Sequence, residues 1–142
     1  MKAKIKRLDP SFSLPAYHTA ESAAFDIASS EEKVITPGAV ALVKTGLIIE
    51  APHGHFLMIA ARSSLARKRG LILANGIGIV DCDYSGPEDE IMLSVYNFTD
   101  KEATVEKGER LAQGMFFPIE RVEWEEVREV RKNSRGGFGS TG

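Results

Sequence analysis

Apolar residues recur along this chain in short, alternating stretches, and nearly every stretch ends at glycine or proline. The pattern has the period of an extended chain, and helical periodicity is scarce. Ala3 to Leu8 reads as a first strand, and the small and polar residues from Leu14 to Ile27 as a loop entering a short strand. Val34 to Thr36 runs into Pro37-Gly38, a strong turn signal. Ala39 to Glu50 is rich in Val, Leu and Ile but broken by Thr45-Gly46, which predicts a strand with a bulge or kink. After the turn at Pro52-His53-Gly54, His55 to Ala61 is a continuous apolar run and reads as a buried strand. Ser63 to Arg69 is the best helix candidate, with Ser63 or Ser64 to cap it and Gly70 to stop it. Leu71 to Leu73, Ile91 to Asn97, Thr104-Val105, Leu111 to Ile119 and Val122 to Val130 complete the strands, with Lys107-Gly108-Glu109 as a hairpin turn. Many short strands with Gly/Pro turns predict an all-β sandwich or barrel of jelly-roll type, with one short helix.

A chain of 142 residues fits one domain with a sizeable core. The formal net charge of −2 gives no general attraction to nucleic acid or to an anionic membrane. No apolar run approaches the roughly 20 residues that span a bilayer. The basic Met1-Lys-Ala-Lys-Ile-Lys-Arg7 leads to no apolar segment with a cleavage site. Cys82 is the only cysteine, so neither an intrachain disulfide nor a cysteine-based metal site is expected, and a reducing cytoplasm is the expected location.

The richest chemistry lies in Asn75-Gly-Ile-Gly-Ile-Val-Asp81-Cys-Asp83-Tyr84-Ser-Gly86. Two carboxylates, an amide, an aromatic ring and three glycines share twelve residues there. Ile77, Ile79 and Asp81 alternate with Gly78, Val80 and Cys82, as on a strand, and Asp81 and Asp83 on an extended chain point to one face. Glycines on that strand would let a planar ring approach the backbone, while a tight Asp/Gly turn is the bland alternative. Arg62-Ser63-Ser64, at a strand-to-helix junction, offers donors for phosphate, or is a plain helix cap. Gln113 is either a core amide satisfied by backbone or a further phosphate donor. His53 and His55 lack a third ligand nearby and read as a solvated turn. The charges from Glu120 to Lys132 read as a solvated edge. Gly136-Gly-Phe-Gly-Ser-Thr-Gly142 is too poor in apolar side chains to fold alone, so it is either a frayed tail or a flap ordered by ligand. In the second case Phe138 stacks on a ring, and glycine amides, Ser140 and Thr141 donate to phosphate.

Together these parts suit a triphosphate with a planar base, and the chain resembles the trimeric dUTPases (dUTP nucleotidohydrolases) from end to end. All five motifs of that family have counterparts in order. They are Ser22-Ala-Ala-Phe-Asp26-Ile27, Ala61-Arg62-Ser63-Ser64-Leu65-Ala66, Asn75 to Gly86, Gly108-Glu-Arg-Leu-Ala-Gln113 and Gly136 to Gly142. The resemblance implies a jelly-roll domain over residues 1–132, a flexible lid over 133–142, and a homotrimer with sites at subunit interfaces. The third motif of one chain would meet the second and fourth of its neighbour and the tail of the last. The implied reaction takes dUTP and water to dUMP and pyrophosphate with Mg2+ on the triphosphate. It would clear dUTP from the nucleotide pool and supply dUMP for dTMP synthesis.

By the same resemblance, Asp81 activates the attacking water at the α-phosphate. Asn75 and the backbone around Ile79 and Val80 read the uracil edge, and Tyr84 packs on deoxyribose where a 2′-hydroxyl would clash. Asp26 holds magnesium through water. Arg62, Ser63, Ser64 and Gln113 contact phosphate, Phe138 stacks on uracil, and Met92 and Gly139 complete the substrate contacts. The chain departs from the family pattern at Ala24, often Gly, and at Pro87-Glu88-Asp89, which lengthens a loop beside the site. Asn133-Ser134-Arg135 replaces the usual Arg-Gly-x, leaving Arg135 or Arg131 to reach the γ-phosphate. The nearest rival is dCTP deaminase, which shares an Arg-Ser-Ser stretch but needs a glutamate where Ser94 stands. A catalytically silent nucleotide sensor on the same scaffold is the alternative from another class.

Overall fold

The computed structural model describes residues 1–137. Eleven short strands and one short helix follow the turn punctuation. They are β1 (Lys4–Arg7), β2 (Phe25–Ala28), β3 (Lys33–Ile35), β4 (Val40–Lys44), β5 (Leu47–Glu50), β6 (His55–Ala61), α1 (Leu65–Arg69), β7 (Leu71–Leu73), β8 (Ile77–Val80), β9 (Met92–Asn97), β10 (Ala103–Val105) and β11 (Arg110–Pro118). The expected all-β architecture with a single short helix holds.

A four-stranded sheet, ordered β2-β11-β6-β8, faces a three-stranded sheet, β4-β9-β7, across one core, and the pairs β1-β5 and β3-β10 close its sides. Every pairing is antiparallel. Phe25, Ile27, Leu57, Ile59, Leu93, Val95 and Leu111 fill the centre. Burial of side chains of this size is worth about 1.5–3 kcal/mol each. The kink foreseen at Thr45-Gly46 is where the chain changes partners, since β4 pairs with β9 and β5 with β1. Gly46 takes a left-handed φ of 68° there.

Three sequence expectations are corrected. β6 is buried on one face only: Leu57 and Ile59 point into the core, while Phe56, Met58 and Ala60 are half-buried. A continuous apolar run hides this alternation because both of its faces are apolar. Ser64 stands at the N-cap of α1 with helical φ and ψ, and its hydroxyl makes no capping bond, whereas Gly70 ends the helix in the left-handed region as foreseen. Residues 122–130 form no strand, and Val122, Trp124 and Val130 are among the most exposed apolar side chains, Trp124 at 93%. A strand needs a neighbouring edge for its backbone groups, and this segment finds none among the described residues of its own chain.

Candidate active site

Register places the phosphate-binding candidates. Asp26 on β2 lies opposite Gln113 on β11, Gln113 opposite Ala60 on β6, and Ala60 opposite Ile77 on β8. Directly opposed residues share a face, so these four form one row on the outer side of the sheet. The next row, Phe25, Gly114, Ile59 and Gly78, points into the core, and burial of Phe25 and Ile59 holds the alternation in phase.

Arg62 follows β6 at the expected strand-to-helix junction, where its N–H donates to the Leu111 carbonyl at 3.1 Å. Its Nε lies 3.0 Å from Asp26 Oδ1, and an Arg110 guanidinium nitrogen lies 2.9 Å from Asp26 Oδ2. A second nitrogen of Arg62 donates to the Arg110 carbonyl at 3.4 Å. Arg110 was not singled out from sequence. Gln113 donates to the Ala61 carbonyl at 3.4 Å, so the backbone-satisfied amide and the cleft residue are one arrangement. These side chains, with His18, Ser22, Ser63 and Met115, line an open cleft of about 400 Å³. Two guanidiniums against one carboxylate leave a positive balance that suits a phosphate chain. Asp26 fixes both arginines in advance, which lowers the ordering cost of binding an anion.

The second cluster sits elsewhere on the same sheet. Asn75 is exposed in the turn entering β8, where Gly76 has a φ of 72° and the Ile77 N–H donates to the Asn75 carbonyl. Ile79 is 61% exposed and Val80 packs against the core. The strand stops at Val80, and the Tyr84 N–H donates to the Asp81 carbonyl at 3.2 Å. Asp81 and Asp83 therefore belong to a turn instead of an extended run, which corrects the expectation of a shared face. The Asp-Cys-Asp-Tyr sequence favours that turn over continuing the strand. Asp81 and Tyr84 are exposed.

Asp81 lies four residues past Ile77 of the Asp26 row, just beyond the end of β8, and three strands across, a separation of roughly 20 Å from strand geometry. It does not line the Arg62 cleft. Met92, on β9 opposite Lys44, stands on the other sheet, and Arg131 and Arg135 are exposed in the C-terminal segment. Phe138, Gly139, Ser140 and Thr141 lie outside the described residues. One chain thus carries both an arginine-lined cleft and a carboxylate-bearing turn, and holds them apart.

The dUTPase family model matches residues 11–142. A deoxyuridine 5'-triphosphate nucleotidohydrolase of Anaplasma marginale is 41% identical, over all of this chain and 99% of its own length. The chain belongs to the dUTPase family. The namesake from Nautilia profundicola is also 41% identical over the full chain. Among solved dUTPases, that of Streptococcus mutans superposes with a TM-score of 0.77 at 34% identity, covering 84% of this chain and 98% of its own. The Staphylococcus bacteriophage 80alpha dUTPase with dUPNHPP reaches a TM-score of 0.86 at 25% identity, covering 99% and 98%. As a dUTPase the protein is a hydrolase, as the five motifs led one to expect.

Proposed function

We propose that the protein hydrolyses dUTP to dUMP and pyrophosphate as a magnesium-dependent homotrimer whose sites are shared between subunits. The observation that carries this reading is the preformed Arg62–Asp26–Arg110 cluster beside Gln113, set roughly 20 Å from Asp81 on the same sheet. A base must stand within hydrogen-bond reach of the water it activates, itself in line with the α-phosphate. Within one chain the two clusters cannot serve one triphosphate, whereas the hairpin of one subunit laid against the cradle of the next supplies both. Surfaces suited to such packing exist. Val40, Leu42, Ile72 and Met92 are exposed on the outer face of the β4-β9-β7 sheet, and Val122 and Trp124 on the C-terminal segment.

In that arrangement Asp81 takes a proton from the attacking water, and the pyrophosphate leaves on the opposite side of the α-phosphorus. Arg62, Ser63, Ser64 and Gln113 bind the departing phosphates. The Ser64 hydroxyl, unused as a helix cap, is free for this. Asn75 and the Ile79–Val80 backbone read the uracil edge, so that a cytosine amino group or thymine methyl is refused by donor mismatch or fit. Tyr84 packs on the sugar and Met92 completes the pocket. Residues 133–142 form the lid, with Arg135 or Arg131 reaching the γ-phosphate, Phe138 covering the base and Gly139 beside it.

The residues present fit a magnesium ion. No group of three His, Cys, Asp or Glu side chains forms a metal cage among the described residues. An ion held by one carboxylate through its waters and otherwise by phosphate oxygens needs no such cage. Asp26 gives one interaction per oxygen to the arginines, and the remaining lone pairs can accept from metal-bound water. When bound, the ion would neutralise charge gathering on the phosphate oxygens. No described helix is long and apolar enough to cross a membrane, and a cytoplasmic location accords with the nucleotide substrate.

Product analysis of the purified protein with dUTP, dCTP, dTTP and UTP, each with magnesium and with chelator, tests the reading. Magnesium-dependent dUMP and pyrophosphate from dUTP alone are expected. Deamination of dCTP, or tight dUTP binding without turnover, would replace this reading with the deaminase or the sensor.

A further inference from the structure

We propose that Glu90 is a positioning residue for the Tyr84 ring and thereby sets the preference for deoxyribose over ribose; the proposal rests on the dUTPase reading above. Tyr84 is 43% exposed, and its hydroxyl donates to the Glu90 carbonyl at 3.3 Å. That carbonyl belongs to a firmly held pair of residues. The Gly46 N–H donates to Glu90 Oε1 at 2.8 Å, the Ile91 N–H to the Leu47 carbonyl at 2.9 Å, and the Thr45 hydroxyl to the Ile91 carbonyl at 2.6 Å. Thr45, Gly46, Leu47 and Ile91 are buried, so their own donors and acceptors have little water to fall back on, while Glu90 is half-buried. The Glu90 carboxylate is the only one of the three fastenings that comes from the side chain of residue 90 or 91.

The loop between the two tyrosine anchors is also closed on itself. The Gly86 N–H donates to Asp89 Oδ2 at 2.7 Å, and the Asp89 N–H returns to the Gly86 carbonyl at 3.2 Å. A Cβ on Gly86 would meet Asp89 Oδ2 at 2.9 Å, so the carboxylate seats against a bare Cα. The extra Pro87-Glu88-Asp89 residues are folded into a turn and do not loosen the loop. Tyr84 is consequently held at both ends, by its N–H on the Asp81 carbonyl and by its hydroxyl on Glu90. A ring tethered in this way cannot swing back from a sugar that carries a 2′-hydroxyl. Once the tether is cut, the ring yields and ribose is admitted.

The test is the ratio of kcat/KM for dUTP to kcat/KM for UTP in wild type, Glu90→Ala, Glu90→Gln, Tyr84→Phe and the Tyr84→Phe/Glu90→Ala double variant. Glu90→Ala and Tyr84→Phe are each expected to lower the ratio about tenfold, equivalent to ~1.4 kcal/mol. Glu90→Gln keeps an oxygen for the Gly46 N–H and is expected to retain the wild-type ratio. The double variant should fall no further than either single change, because Tyr84→Phe removes the tether and Glu90→Ala loosens the carbonyl that holds it. A purely structural role for Glu90 would weaken turnover of both nucleotides alike, and an unchanged ratio in Glu90→Ala would overturn the proposal. Tyr84→Phe removes a single exposed hydroxyl and leaves the loop folded, so a wild-type ratio there overturns it whatever becomes of Glu90→Ala. Wild type that hydrolyses no dUTP would remove the underlying reading as well, an outcome distinct from normal dUTP turnover with an insensitive ratio.

Discussion

Asp81 follows the last residue of β8 and opens the turn that Tyr84 closes, so its carboxylate is displayed by backbone geometry that does not depend on the carboxylate itself. Asparagine suits the same turn and has nearly the same shape. Asp81→Asn is therefore expected to keep the fold and nucleotide binding while lowering kcat by about 10²–10⁴, the usual worth of a positioned general base. Single-turnover kinetics beside dUTP titration would separate the two effects, and full turnover in the variant would dismiss Asp81 as the base. At this scale the sequence revealed residue types and missed partnerships. Asp26 was recognisable, but its ion pairs reach 36 and 84 positions along the chain, distances that only β11 and β6 bring together. Arg110 escaped notice for a reason of parity. On a regular strand it would face away from Gln113, three residues on, and the irregularity between Arg110 and Ala112 turns both into one cleft. Nothing local in the sequence marks that bulge.

Among the elements, β11 joins core to site. Gln113 faces the cleft, and the adjacent Gly114 leaves room on the core side for the Phe25 ring. A Cβ on Gly114 would meet Phe25 Cζ at 2.6 Å and Leu57 Cδ1 at 3.1 Å. The ring has little freedom to retreat, since Tyr17 and Phe116 each stand 5.8 Å from it between centroids. Gly114→Ala should cost about 1–3 kcal/mol through overpacking and lower the thermal midpoint accordingly. A wild-type midpoint would mean that the Phe25 packing is slacker than this geometry. The strands themselves were legible because Gly and Pro mark almost every turn and because alternation matches the faces. Where both faces are apolar, as in β6, alternation was hidden. For residues 122–130 the pattern predicted a strand that the structure does not form, because periodicity carries no information about whether a neighbouring edge is there to pair with.

The separation of the two clusters turns into a prediction about the whole molecule. If a site takes Asp81 from one subunit and Arg62 from the next, subunits defective at different places should complement each other. Asp81→Asn and Arg62→Ala homotrimers would each be nearly inactive. After unfolding together and refolding at equal concentrations, each site is formed by an ordered pair of neighbours drawn at random. Only the pair with an intact Asp81 on the first and an intact Arg62 on the second works, so about one quarter of wild-type activity should return in a closed cyclic trimer. A site contained within one chain would contain either defect in every copy, and mixing would restore nothing. The comparison is meaningful once native mass spectrometry of the refolded mixture shows trimers containing both variants. Exchange without recovery would then break the shared-site reading, while leaving the family membership and the fold as they stand.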